Sequence, residues 1–164
     1  KSDRVINAAA IALGKTNDPR AFDALTALEP HPSWKNQSRI SMLNGLAELG
    51  DPRGVAIVLR CLKTLGDARW TLVTPIWDYR LAAAHALRRL ESTDEGFGFL
   101  RAMLDQALRE RHTSDTMYNL HLLVALADPR AREALSAARE VFHDKEDIQS
   151  AFDTIESQLD ATLS

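Results

Sequence analysis

The sequence predicts an all-α fold, an α-solenoid of stacked antiparallel helix pairs, on three observations. Asp-Pro-Arg recurs at 18–20, 51–53 and 128–130, each copy closing a similar run of about fourteen residues. Val5 to Gly14 leads to Asp18, Ser38 to Ala47 leads to Asp51, Tyr79 to Leu87 reaches an acidic turn at Asp94-Glu95, and Tyr118 to Leu123 reaches Asp128. Apolar residues recur at spacings of three and four throughout, and no stretch alternates with the β-branched enrichment and hairpin turns of a strand. Units of this size cannot bury their apolar faces alone, so they stack.

The periodicity predicts helices over 3–15, 19–28, 36–49, 52–65, 74–90, 96–110, 115–126, 129–142 and 146–162. Asp18, Asp51 and Asp128 can accept from the exposed amides of the helix that follows, with Pro19, Pro52 and Pro129 at the first helical position, where a missing amide costs nothing. Gly50, just before Asp51, can take the left-handed conformation that ends the preceding helix. One helix stops and the next starts within two or three residues, which forces neighbours antiparallel. Pro30-His31-Pro32-Ser33 is a rigid linker, with Ser33 capping the helix that carries Trp34. Gly66 to Val73 is the longest irregular connection and holds Trp70; Thr74-Pro75 then starts a new helix. In the last helix Ile148, Phe152, Ile155 and Leu159 share one face while Asp147, Asp153 and Asp160 lie elsewhere, as a terminal capping element requires. The helix at 3–15 has no preceding partner, so its uncovered apolar face predicts upstream protein: a single repeat domain over 1–164, the C-terminal part of a longer chain.

Twenty Lys and Arg against twenty-three Asp and Glu give a net charge of −3 in 164 residues. Arginines gather between Arg80 and Arg111, but acids dominate from Glu140 to Asp160, which disfavours a nucleic-acid partner, since affinity for phosphate backbones needs a net basic surface. No apolar run approaches the roughly eighteen residues of a membrane span, so no membrane partner is expected. A single cysteine, Cys61, excludes an internal disulfide and a thiolate zinc cluster; its apolar surroundings make it a small buried hydrophobe.

The repeats resemble HEAT and HEAT-like repeats, whose second helix reads approximately V-R-x-A-A-A-x-A-L-G and closes on D-P-R-A, as Ala8 to Ala21 does here. This armadillo-type resemblance covers almost the whole chain and implies a right-handed α-solenoid of about four to five repeats. Pro32 to Asp51 is also similar to a stretch in the HEAT-rich C-terminal region of certain bacterial M1-type zinc aminopeptidases. That likeness implies an accessory domain beside a catalytic core that holds the zinc, with no cofactor in the present chain. The core's H-E-x-x-H, two histidines one helical turn apart around a glutamate, occurs nowhere in this sequence.

No other constellation carries chemistry. His31, His85, His112, His121 and His143 are scattered; His85 and His121 occupy one column of successive inner helices. Packed helices stand about 8–10 Å apart while zinc holds each nitrogen at about 2.0–2.1 Å, and no Cys, Asp or Glu joins that column. His112, Ser114 and Asp115 sit at a helix start, where Ser and Asp cap amides. Gly96-Phe97-Gly98 lacks the strand before it and the Lys-Ser/Thr after it that a phosphate loop needs. Trp34, Trp70 and Trp77 border loops and suit packing better than the base-stacking role that aromatic residues play in HEAT-like DNA glycosylases. Arg39 and Arg80 stand where HEAT-like units carry an arginine that reaches a turn carboxylate.

Aligning the inner helices puts Asn7, Ala10 and Ile11, then Ile40, Leu43 and Asn44, then Leu81, Ala84 and His85, then Met117, Leu120 and His121, on the side away from the outer helices. Ile40, Leu43, Leu81, Met117 and Leu120 would form an exposed apolar ribbon on the concave face, flanked by Asn44, His85 and His121, and such a ribbon marks a docking surface. The expectation is a non-enzymatic interaction module, docking its own peptidase core or a peptide through that face. A free-standing HEAT adaptor for a protein partner is the alternative, and a HEAT-like bilin lyase or DNA glycosylase is the reading from another class.

Overall fold

The computed structural model describes residues 3–29, 37–63 and 76–164. Among them all regular structure is helical: α1 (Asp3–Gly14), α2 (Arg20–Thr26), α3 (Gln37–Leu49), α4 (Gly54–Lys63), α5 (Ile76–Arg89), α6 (Thr93–Arg109), α7 (Thr113–Leu126), α8 (Ala131–Val141) and α9 (Glu146–Leu163). Each answers to one expected from the periodicity, and the fold class is the HEAT-like, all-α one. The Pro30–Ser33 linker with His31, the Trp34 cap region, the Gly66–Val73 connection with Trp70 and the Thr74-Pro75 start lie outside the described residues, as does the side chain of Trp77.

The chain forms two compact units, Lys1–Ser92 and Thr93–Ser164. In the first, α3 packs on α1 and α5 packs on α3, while α2 and α4 cover them as outer helices. In the second, α7 and α9 pack side by side as inner helices and α6 and α8 pair as outer ones. The core of the first unit includes Leu25, Met42, Leu46, Leu62 and Leu87, and that of the second Leu100, Leu104, Leu122, Phe142 and Phe152, all fully buried. Cys61 is buried as expected, its thiol beside the Tyr79 hydroxyl, and burial pushes the pKa of both upward.

Helices α1 and α3 approach closely, where glycines face each other. A Cβ on Gly14 would run into the Gly45 carbonyl oxygen and sit 2.8 Å from Glu48 Cβ. A Cβ on Gly45 would run into the buried Leu25 side chain and lie 2.8 Å from the Ala10 carbonyl oxygen. Gly98 is different: it lies inside α6, not in a loop, with open space where a Cβ would go. Gly98→Ala is therefore expected to stabilise the chain by about 0.5–1 kcal/mol through helix propensity alone, read as a rise in the urea midpoint at constant slope.

The Asp-Pro-Arg turns do more than cap. Asp18, Asp51 and Asp128 accept from the amides of Arg20, Arg53 and Arg130 at 2.8, 2.9 and 3.0 Å, as a capping carboxylate should. Each arginine also folds back on its own aspartate, with Nη2 to Oδ2 distances of 2.7, 2.6 and 2.5 Å, closing a two-pronged clasp within the turn. In the two later copies the guanidinium lies flat on a phenylalanine of the preceding outer helix: Arg53 over Phe22 and Arg130 over Phe97, both 4.2 Å from the ring centroid. Arg130 reaches Asp94 as well, at 2.7 Å, and Asp128 accepts from the Thr93 hydroxyl at 3.3 Å. One motif thus ends a turn, starts a helix and pins it to the helix pair before it.

Gly50 adopts φ 67°, the left-handed cap expected of it. The turn after α7 reaches the same region without glycine, at Ala127 with φ 56°. Arg39 departs from the expected pattern: its Nε donates to the backbone carbonyl of Glu29 at 3.0 Å, not to a carboxylate, and the Glu29 carboxylate instead binds Arg60 at 2.6 Å. Arg80 is buried in α5. At the far end Ile148, Phe152, Ile155 and Leu159 are buried as expected, and the acids of α9 meet arginines of α8, Asp153 and Glu156 with Arg139 and Asp160 with Arg132.

Candidate functional site

An inner helix that packs on two inner neighbours and one outer helix keeps only a narrow strip free. On α3 that strip is Ile40, Asn44 and Glu48, four residues apart and each partly exposed. On α5 it is Leu81, half-buried, and His85, exposed. Leu43 and Leu120 do not belong to it: they are 0% and 1% exposed, so the expected continuous apolar ribbon is interrupted at both. The reason is angular. One residue turns about 100° around a helix, and position 43 rotates out of the strip that contains 40 and 44, into the seam with neighbouring helices. What remains alternates by turns, apolar at Ile40 and Leu81, polar at Asn44 and His85.

The strips of α1, α3 and α5 enclose a groove of about 630 Å³ within the first unit, lined by Ile11, Asn44, Glu48, His85, Arg88 and Arg89 among others. Two expected residues, Asn44 and His85, are brought together there. Asn44 donates through Nδ2 to Asn7 Oδ1 at 2.9 Å, which fixes the orientation of both amides and leaves the Asn44 carbonyl oxygen available as an acceptor. Arg89 is tied to Glu48 at 2.7 Å across the α3–α5 seam. Glu48, Arg88 and Arg89 were not singled out in the sequence; the available signal was the helical repeat itself, since Glu48 follows Asn44, and Arg89 follows His85, by one four-residue step.

Partial desolvation holds His85 below its ordinary value near 6.5, and the Arg88 guanidinium adds to the depression by opposing a second positive charge. The ring is therefore neutral at pH 7, able to donate through one nitrogen and accept through the other. Because the unfolded chain takes up this proton more readily, the folded state loses stability as pH falls through the window below about 6.5. In a ¹H–¹³C titration His85 is expected to titrate below free histidine, and Arg88→Ala to move its midpoint upward. An unchanged midpoint would remove Arg88 as a cause.

In the second unit Met117 and His121 occupy the corresponding strip of α7, both half-buried. Burial lowers the His121 pKa, opposed by a hydrogen bond with Gln158 of α9. His112, in contrast, is a structural group: its Nδ1 accepts from the Asp115 amide at 3.4 Å, so the imidazole rather than Ser114 caps α7. Among the described residues no group of three or more His, Cys, Asp or Glu side chains is placed to hold a metal ion, and no helix is long and apolar enough to cross a membrane.

Residues 5–28 match the family model described as PBS lyase HEAT-like repeat. That segment runs from Val5 of α1 through the first Asp-Pro-Arg turn and α2, nearly all of one helix pair of the first unit. No curated protein and no solved structure matches the chain. HEAT-like repeats commonly mediate protein interactions.

Proposed function

We propose that the chain is a non-catalytic scaffold that docks an extended protein or peptide segment along the inner-helix face, seated in the groove of the first unit. The observation that carries this reading is the groove itself: an oriented amide on Asn44, a neutral imidazole on His85, the apolar Ile11 in its lining with Ile40 one turn before Asn44 on α3, and Glu48 beside two arginines. Fixed amides and imidazoles serve the backbone groups of an extended chain, and apolar steps take alternate side chains. On an array of immobilised dodecapeptides of varied sequence, the wild-type chain is expected to be retained on a subset with apolar side chains at alternate positions. Asn44→Leu and Arg88→Glu should each weaken retention by about tenfold or more with unchanged helicity. Retention that ignores both substitutions would discard the groove as the docking site.

The finer part of the proposal concerns the partner. The stretch Pro32 to Asp51, which resembles the C-terminal region of M1-type zinc aminopeptidases, includes the whole of α3, and α3 supplies Asn44 and Glu48 to the groove. On that resemblance the docked segment belongs to a peptidase core in the same polypeptide, and the full reading frame should encode H-E-x-x-H upstream. A free-standing adaptor has no such motif. The family description matched at residues 5–28 supports one other reading, a bilin lyase, which requires binding of a linear tetrapyrrole with the absorbance shift that accompanies it.

A further inference from the structure

The side of α1 that turns away from α3 is unlike its counterparts. Val5, Ala8, Ala9 and Ala12 are exposed, Val5 to 62%, and Val5 is the one large hydrophobic residue so exposed among the described residues. In the repeat register their equivalents are Ser38, Ser41, Met42 and Gly45 on α3, and Tyr79, Ala82, Ala83 and Ala86 on α5. All eight of those are buried. They are buried because each helix there lies against the inner helix before it, as the approach of Gly45 to the Ala10 carbonyl shows.

A second, independent feature points the same way. The Arg20 clasp on Asp18 has the geometry of the Arg53 and Arg130 clasps, yet the Arg20 side chain is 91% exposed against 56% and 47% for the other two. Those two lie on phenylalanines of the preceding outer helix. Arg20 is thus oriented like its counterparts, without, among the described residues, the aromatic ring that they cover.

We propose that this side of the first unit seats one more helix pair of the same kind, belonging to the same polypeptide ahead of Lys1. Its inner helix packs against Val5, Ala8, Ala9 and Ala12, and its outer helix places an aromatic ring under the Arg20 guanidinium. The short side chains at 8, 9 and 12 allow a close helix approach, like that of α3 on α1. A second copy of the chain is the poorer occupant. The residues α9 leaves exposed are mainly polar, and Phe22 and Phe97 are already covered by Arg53 and Arg130. This inference is independent of the groove and survives if the groove binds nothing.

The test compares the 164-residue chain with the product of the full reading frame, each carrying Ala9→Cys in a Cys61→Ala background. Maleimide should label the cysteine at the rate of an exposed thiol in the shorter chain and about tenfold or more slowly in the longer one. Arg20→Ala should lower the melting temperature of the longer product and leave that of the shorter unchanged, whereas Arg53→Ala should lower both. Equal labelling rates overturn the proposal, as does a reading frame with no helix pair ahead of Lys1. Protection in the shorter chain that grows with its concentration also overturns it, in favour of a second copy.

Discussion

Gly14→Ala is expected to destabilise the chain by about 2–3 kcal/mol, although alanine is the better helix former by about 1 kcal/mol. The added methyl runs into the carbonyl oxygen of Gly45, a backbone atom that cannot rotate away, so α1 and α3 must separate. Separation loosens the packing of Ala10 and Leu25, both buried at this seam. Gly45→Ala meets the end of a side chain first, that of Leu25, but Leu25 is 0% exposed and has no free volume to enter. The double substitution should cost clearly less than the sum of the singles, because helices parted by the first methyl already accommodate the second. Urea unfolding monitored by helicity measures all three. A loss below about 1 kcal/mol for Gly14→Ala would contradict the close approach of these helices.

Asp128→Ala is expected to cost about 2–3 kcal/mol and to have the largest effect among the three Asp-Pro-Arg turns. Its side chain is only 5% exposed, against 34% for Asp18 and 21% for Asp51, and among the described residues its clasp alone adds a threonine hydroxyl and, through Arg130, a second carboxylate to the ring contact that Arg53 also makes. Removing it frees the Arg130 guanidinium from its position on Phe97. Asp128→Asn keeps an acceptor for the Arg130 amide and should lose less. The clasp holds the Asp128 carboxyl below its usual value of 3.8, so the unfolded chain binds this proton first. The stabilisation is present above that value and is lost as pH falls below it, towards the lower folded value. The wild-type acid limb should therefore be steeper than that of Asp128→Asn; identical limbs would mean that the clasp does not lower the Asp128 pKa on folding.

The helices were legible because apolar spacing and the Asp-Pro turns are local signals, and both survive stacking unchanged. Helix α6 starts at Thr93 rather than 96 because Asp94 and Glu95 fit a first helical turn, where acidic side chains favour the amino-terminal dipole. The strip was legible at Asn44 and His85 but misjudged at Leu43 and Leu120, since burial of an inner helix depends on three neighbours and a single position of rotation decides it. The arginines of the clasps were visible as repeated letters, yet their role was not. Each closes on a carboxylate two residues away, which only the turn geometry permits, and Arg53 and Arg130 close also on a ring that comes from an earlier helix.

The clasp also bears on how such a chain can change length over evolutionary time. Its charges are matched inside one turn, so a duplicated segment arrives with its fastening complete and asks of its neighbour nothing more specific than an aromatic side chain. Gain or loss of whole modules then leaves the clasp itself intact, whereas a pair that crosses between modules, such as Glu48 with Arg89, loses a partner.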